Sequence, residues 1–339
     1  MKLNSPCFFC KQCLSDLLSV LLLAVVCISP LSAAKPSGPW AIAIHGGISS
    51  HVAKLSELER GRYFRFLAKV TLKGKRMLRN NWEAVDVAES VVKDLEDSPL
   101  FNAGKGAVCN YDGNHELDAS IMDGRDSSCG GVAGITNIRN PISLARKVME
   151  KSRHVFLVGK GAERFAQKEG LEVVPNSYFS TKLRKAAWRR TREGMAQKDD
   201  EGSTVGCVVL DRYGNLAAAT STGGLTAKRW GRVGDSPVIG AGTWANNYSC
   251  AVSCTGKGEE FIRHSVARTV GAIMRFGGKT LTEAAEIVLT KQVPLNRGGL
   301  VAVDKDGSVL AVTNTKTMLF GMANSKGICR WGLYPKRVK

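Results

Sequence analysis

A chain of 339 residues with 44% hydrophobic and 23% charged residues is long enough to bury a full core and too apolar to be disordered. Its net charge of +18 would suit an anionic partner, yet no aromatic–basic RNA motif, zinc finger or basic zipper accompanies it. The densest basic run, Lys182, Arg184, Lys185, Arg189, Arg190 and Arg192 around Trp188, reads as a solvated loop, and nucleic acid is not expected as a partner.

At the start of the chain, Lys2 and Lys11 precede an apolar run over residues 17–28, followed by Pro30 and the small residues Ser32-Ala33-Ala34. The run is shorter than the ~20 residues that span a bilayer, so residues 1–34 are expected to be a cleaved secretory signal rather than an anchor. The expected location is the secretory pathway, secreted or vacuolar/lysosomal, with no stable membrane insertion after the signal is removed. Cys7, Cys10, Cys13 and Cys27 would leave with it. Of the others, Cys109, Cys129, Cys207, Cys250, Cys254 and Cys329, some could pair in an oxidising compartment.

Trp40-Ala41-Ile42-Ala43-Ile44 reads as a buried strand that runs into His45-Gly46-Gly47, where glycine permits close backbone approach. Helices are expected over about 55–78 and 82–95, the second with Asn81 as N-cap. A glycine-rich passage over 99–106 leads to strands reaching about Asp123, and Pro141 opens a helix to about Met149. Residues 176–202 are polar, basic and poor in apolar periodicity, hence a linker or mobile loop. Two strands, 203–210 and 216–221, flank the turn Asp211-Arg212-Tyr213-Gly214-Asn215 as a hairpin. Helices over 261–276, with Ile262 on the apolar side, and 283–291 follow, then a hairpin of 300–303 with 309–312. This order suggests an α+β protein of stacked sheets covered by helices rather than βαβ units.

The pivotal segment is Gly202-Ser203-Thr204-Val205-Gly206, where a polar stretch meets a buried strand at Thr204. A β-branched residue starts strands well, so Thr204 alone signals little. Its neighbours add weight. Thr220-Ser221-Thr222-Gly223-Gly224 ends the adjoining strand in hydroxyls and glycines. Gly231-Arg232-Val233-Gly234-Asp235-Ser236-Pro237 sets a cation three residues from an anion, and Cys254-Thr255-Gly256-Lys257-Gly258-Glu259 is a third polar glycine loop.

With these loops, His45-Gly46-Gly47, Phe101-Asn102-Ala103-Gly104, residues 116–124 and Asn140-Pro141-Ile142-Ser143, the chain resembles the plant-type asparaginase and isoaspartyl peptidase family from about Trp40 to Gly321. The resemblance implies a four-layer αββα sandwich of the N-terminal-nucleophile hydrolase type, residues 35–339, formed jointly by two autoproteolytic fragments. These would be an α subunit, 35–203, ending in a basic linker at 176–203, and a β subunit, 204–339. It also implies a cut between Ser203 and Thr204 that frees Thr204 as nucleophile. The new α-amine, with a reference pKa of about 7.7–8.0, could then serve as base for its own hydroxyl. By the same resemblance Thr222 supports the nucleophile, Thr255 and Gly256 form the oxyanion hole, and Arg232 and Asp235 hold the substrate's α-carboxylate and α-ammonium. Asn102 matches an asparagine beside the nucleophile. Sodium bound through backbone carbonyls of the passage from Leu95 to Gly106 is implied, with no organic cofactor. The implied substrates are asparagine and β-aspartyl dipeptides, and the implied assembly is a dimer of processed protomers.

The chain departs from the family pattern at Ile48-Ser49-Ser50, at Ser203 before the cut, at residues 313–318, and in having a secretory signal. Glycosylasparaginases, which share the Gly-Arg-Val-Gly-Asp-Ser-Pro loop and enter the secretory pathway, are the nearest enzymatic alternative. An inactive, basic binding protein on the same scaffold is the other.

Overall fold

The computed structural model describes residues 36–194 and 203–338, so the segment expected to be a signal, 1–34, lies outside the described residues. Residues from Ser37 onward cluster as a compact unit. Among the described residues no helix is long and apolar enough to cross a membrane.

The elements run β1 (Ala41–Gly47), α1 (Ser50–Ala53), α2 (Glu57–Arg79), α3 (Ala84–Glu96), β2 (Leu117–Asp123), β3 (Cys129–Ile135), α4 (Pro141–Lys151), β4 (Phe156–Val158), α5 (Gly159–Lys168) and α6 (Lys182–Arg192). Next come β5 (Val205–Leu210), β6 (Leu216–Thr222), β7 (Thr243–Ala245), β8 (Cys250–Gly256), α7 (Gly258–Arg263), α8 (Val266–Gly277) and α9 (Leu281–Lys291). The chain closes with β9 (Gly298–Asp304), β10 (Val309–Thr313), β11 (Leu319–Asn324), β12 (Cys329–Gly332) and β13 (Lys336–Arg337).

Two sheets stack face to face. The eight-stranded sheet has the order β12-β11-β1-β5-β6-β2-β3-β4, and the five-stranded sheet the order β13-β10-β9-β8-β7. Three apolar cores make four layers of them. One, with Ile42, Leu67, Val87, Val91 and Ile142, seals α2, α3 and α4 onto the larger sheet. A second, with Val252, Val270, Val288 and Leu300, seals α8 and α9 onto the smaller. The third, with Ala43, Val208, Ala218, Ala251 and Val301, lies between the sheets. Strands β5 and β6 are buried along their whole length, which is why they read as continuous apolar runs.

The stacked, helix-covered sheets agree with the expectation; several local features do not. Asn81 does not cap α3. It sits in a left-handed turn at φ 62°, and Glu83 precedes the helix without a side-chain cap. The helix expected over 261–276 is two helices, broken at Ser265 (φ 46°), and Ile262 is 38% exposed rather than core. Residues 182–192 form α6, not a loop. Thr181 caps it by accepting a hydrogen bond from the Arg184 N–H. No α6 residue is fully buried, so its periodicity is faint, while Ala, Arg, Lys and Leu favour the helix on intrinsic grounds. The described cysteines, Cys109, Cys129, Cys207, Cys250, Cys254 and Cys329, are free, and four of them are buried.

Candidate active site

Thr204 is the residue before β5, and β5 lies between β1 and β6 in the middle of the larger sheet. The end of β1 approaches it closely. Gly47 has φ +92°, and a Cβ there would collide with the Ser203 hydroxyl and lie 2.9 Å from the Thr204 nitrogen. Only glycine lets the two segments meet.

The Thr204 side chain is buried, 5% exposed, with its hydroxyl 3.2 Å from the Thr222 hydroxyl and 3.5 Å from that of Ser236. The carbonyl of Ser203 accepts from Asn102 Nδ2 at 2.6 Å and from the Thr222 hydroxyl at 3.3 Å. Asn102 is itself fixed, donating to the Gly224 carbonyl and accepting from the Val108 N–H. Asn102, Ser203, Thr204 and Thr222 are thus in direct contact.

A second group is drawn from residues 232–259. Asp235 is buried, and its Oδ2 makes no hydrogen bond among the described residues; burial pushes its pKa up to about 7, against its own N–H and the Arg232 charge. Thr255 and Gly256 end strand β8, not a loop, and the buried Thr255 hydroxyl likewise has no partner among the described residues. Arg232 does not pair directly with Asp235. Its Nε and Nη2 donate to Glu259 at 3.0 and 3.1 Å. Burial works to raise the Glu259 pKa, but the Arg232 hydrogen bond and charge hold it below the usual carboxylate range. Arg232 and Asp235 nonetheless share one space, since a Cβ on Gly258 would lie 2.9 Å from Arg232 Nη2, the Asp235 N–H and Asp235 Oδ1.

Behind Thr204 a polar seam crosses between the sheets. His45 Nδ1 donates to the Thr204 carbonyl at 3.0 Å, and its Nε2 lies 2.9 Å from the Ser253 hydroxyl. Burial lowers the His45 pKa to about 3, against the Thr204 hydrogen bond, so the ring is neutral and Nε2 accepts. Ser253 is 2.7 Å from the Thr220 hydroxyl, which accepts from Thr243 at 2.6 Å. Ser120 donates to the Ser236 carbonyl at 2.7 Å, and the Thr243 hydroxyl lies 3.2 Å from the same oxygen.

Sequence reasoning passed over Glu259, Gly258, Ser236 and this seam. Glu259 and Ser236 stand inside motifs that were singled out, so an acid and a hydroxyl next to the candidate pairs were available signals. Thr220 stands in a segment already noted for its hydroxyls, whereas Ser253 and Thr243 carry no signal because their partners come from other strands.

In the passage from Leu95 to Gly106, backbone carbonyls crowd together. A Cβ on Gly104 would clash with the Glu96 carbonyl, and one on Gly106 with the carbonyls of Phe101 and Pro99. Carbonyl oxygens are the donor type that a hard cation takes. No cluster of His, Cys, Asp and Glu suited to a metal occurs among the described residues.

A strand-borne threonine whose hydroxyl lies beside those of Thr222 and Ser236, with Ser236 next in sequence to the buried Asp235 that shares a space with Arg232, is a hydrolase-type arrangement. The asparaginase family model matches residues 38–333, and the chain belongs to that family. It is 47% identical over 294 residues to the isoaspartyl peptidase of Escherichia coli (strain K12), covering 83% of this chain and 92% of the relative. It is 42% identical over 318 residues to the probable isoaspartyl peptidase/L-asparaginase 2 of Arabidopsis thaliana, 86% and 97% of the two chains. The isoaspartyl peptidase/L-asparaginase of Homo sapiens is 41% identical over 301 residues, 87% and 96%. These relatives correct the expected secretory location. The bacterial isoaspartyl peptidases match over 92% and 93% of their own lengths, and the family match begins only at residue 38. The location rested on residues before 35 alone, a positive start, an apolar run and the small residues after Pro30.

Proposed function

We propose that this enzyme cuts itself before Thr204 and then hydrolyses asparagine to aspartate and ammonia and removes N-terminal β-aspartyl residues from peptides. The observation that carries this reading is the contact set at the junction: the Thr204 hydroxyl 3.2 Å from Thr222, with the preceding carbonyl held by Asn102 at 2.6 Å. In the intact chain, Asn102 and Thr222 polarise the Ser203 carbonyl for attack by the Thr204 oxygen. The hydroxyl proton passes to the departing Thr204 nitrogen, the acyl group shifts from nitrogen to oxygen, and water hydrolyses the ester. A Ser203 carboxylate and a free Thr204 amine result. Residues 35–203 and 204–339 then remain as the α and β subunits of one fold, and two processed units pair as a dimer. A sodium ion in the carbonyl cradle would stiffen the passage that carries Asn102.

In the second reaction the free amine takes the hydroxyl proton, and the Thr204 oxygen attacks the substrate's side-chain carbonyl. The Thr255 hydroxyl and the Gly256 N–H stabilise the oxyanion; losing one such donor costs about 2.7–4 kcal/mol. The leaving amine departs with the proton, and a water activated by the same amine releases aspartate. Arg232, oriented by Glu259, grips the α-carboxylate, and Asp235 accepts from the α-ammonium. Both α groups are free in asparagine and in β-aspartyl peptides, but one is consumed in an ordinary peptide bond. The names of the relatives support this substrate class over glycosylated asparagine. The test combines a denaturing gel with N-terminal sequencing, and hydrolysis of asparagine, β-aspartyl-leucine and a glycosylated asparagine side by side. Two fragments, the second beginning at Thr204, and turnover of the first two substrates are expected. A persistently single, active chain would overturn self-cleavage, and turnover of the third substrate alone would overturn the specificity.

A further inference from the structure

The basic run 182–192 finds a place in the fold that the proposed chemistry does not use. Helix α6 lies on the loop around Tyr111: Trp188 Nε1 donates to the Tyr111 carbonyl at 3.1 Å, and Lys185 to that of Gly113 at 2.7 Å. The Tyr111 N–H in turn donates to the Lys228 carbonyl at 2.8 Å. Two guanidiniums converge on the Tyr111 ring, Arg229 at 3.7 Å and Arg192 at 4.8 Å from its centre. Neither makes an ion pair among the described residues. Beside them Trp230 is 94% exposed and held at φ +56°, a conformation bulky residues rarely adopt.

The position of this outcrop links it to the site. Thr222 and Arg232, at the two ends of one loop, belong to the junction and the clamp, and Arg229-Trp230 is its exposed tip. Both flanks of the tip are pinned: Lys228 is buried and donates to the Glu116 carbonyl, and Arg232 is held by Glu259. The Cα of Trp230 is therefore within about 7 Å of that of Arg232. Unpaired cations gathered on an aromatic ring at the rim, already rigid, suit a carboxylate or an aromatic side chain.

We propose that Arg229, Trp230 and Arg192 around Tyr111 form a leaving-group subsite that favours β-aspartyl peptides whose next residue is acidic or aromatic. This rests on the functional reading above, in which asparagine releases only ammonia and so cannot touch the rim. A dipeptide's leaving residue always carries a free carboxylate.

The test compares kcat/KM for asparagine, β-aspartyl-glutamate, β-aspartyl-phenylalanine and β-aspartyl-lysine in the wild type, Arg229→Ala and Arg192→Ala. Arg229→Ala should lower the glutamate and phenylalanine peptides about 3- to 10-fold and leave asparagine within about twofold. Arg192→Ala, on a different element, should lower them about 2- to 5-fold. Added salt should reduce the glutamate-over-lysine preference of the wild type. Equal losses on asparagine and peptides in both variants, or no loss on peptides, would overturn the subsite. So would retention on heparin that both variants lose with peptide selectivity intact, which would assign the rim to a polyanion. A wild type that hydrolyses none of the four would instead sink the functional reading itself.

Discussion

The two sides of Thr204 are built on opposite rules. Behind it, His45, Ser253, Thr220 and Thr243 are buried, and each polar group has a partner in a chain that ends on the Thr204 carbonyl. In front, Asp235 and Thr255 are just as buried, yet each keeps an oxygen with no partner among the described residues. A satisfied network rigidifies, whereas an unsatisfied buried oxygen costs about 1–3 kcal/mol until something binds it. Under the proposed function the back holds Thr204, the proposed nucleophile, still, and the unsatisfied oxygens of Asp235 and Thr255 are left for a substrate to bind at the expense of stability.

Substitutions can break or sharpen this contrast. The largest effect belongs to the residue between the two sides. Thr204→Ala should abolish both fragment formation and hydrolysis, at least about 10³-fold in kcat. Thr204→Ser should keep some of each, as a gel and a turnover assay will report. Next comes the front. Arg232→Ala should lower kcat/KM for asparagine about 10²-fold or more while self-cleavage proceeds. Hydrolysis at wild-type efficiency would show the clamp to be misassigned.

The back should behave in reverse. His45→Ala strands the Thr204 carbonyl and the Ser253 hydroxyl, so denaturant unfolding should show a loss of about 1–3 kcal/mol. Asp235→Asn should instead remove a liability. The Asp235 pKa is raised from 3.8 to about 7 by burial, so the folded state holds the proton more tightly than the unfolded one. The stability this gives is complete below about pH 4 and is lost as pH rises through 7. The variant should therefore melt higher than wild type at pH 8 and alike at pH 4. In catalysis, the same carboxyl must ionise to hold an ammonium, so wild-type kcat/KM should fall on the acid side of about pH 7. The smallest effect is expected of thiol reagents. Cys207 is fully buried near the site, and burial pushes its thiol far up, so activity should survive them.

Legibility in the sequence followed burial on one element at a time. Strands β1, β5, β6, β9 and β10 were readable because a run of apolar residues is a local property. Helix α6 was not, since none of its residues is fully buried and it is tied down by polar groups, Arg184 Nε, Lys185 Nζ and Trp188 Nε1 donating to backbone carbonyls. Strand β11 went unread although it is a short buried run, Leu319–Asn324, with Gly321 in its middle, and β12 went unread because it is largely exposed and takes its pairing from β11. In the candidate site, Thr204, Thr222, Arg232 and Asp235 were singled out through motifs. Glu259 and the seam were hidden because their meaning lies in distances between segments far apart in the chain, 208 residues for His45 and Ser253.

The strand order has a further consequence. Strand β1 sits between β11 and β5, and β6 pairs with β2, so segments from either side of Thr204 alternate across one sheet. A chain broken before Thr204 stays woven together, but its folding is no longer unimolecular. If the fragments are once separated, reassembly becomes a second-order encounter whose yield depends on concentration, with the effective concentration supplied by the peptide link gone. Heating and cooling should then be reversible for the uncut chain and dilution-sensitive for the cut one, so self-cleavage would turn a folding equilibrium into a one-way commitment.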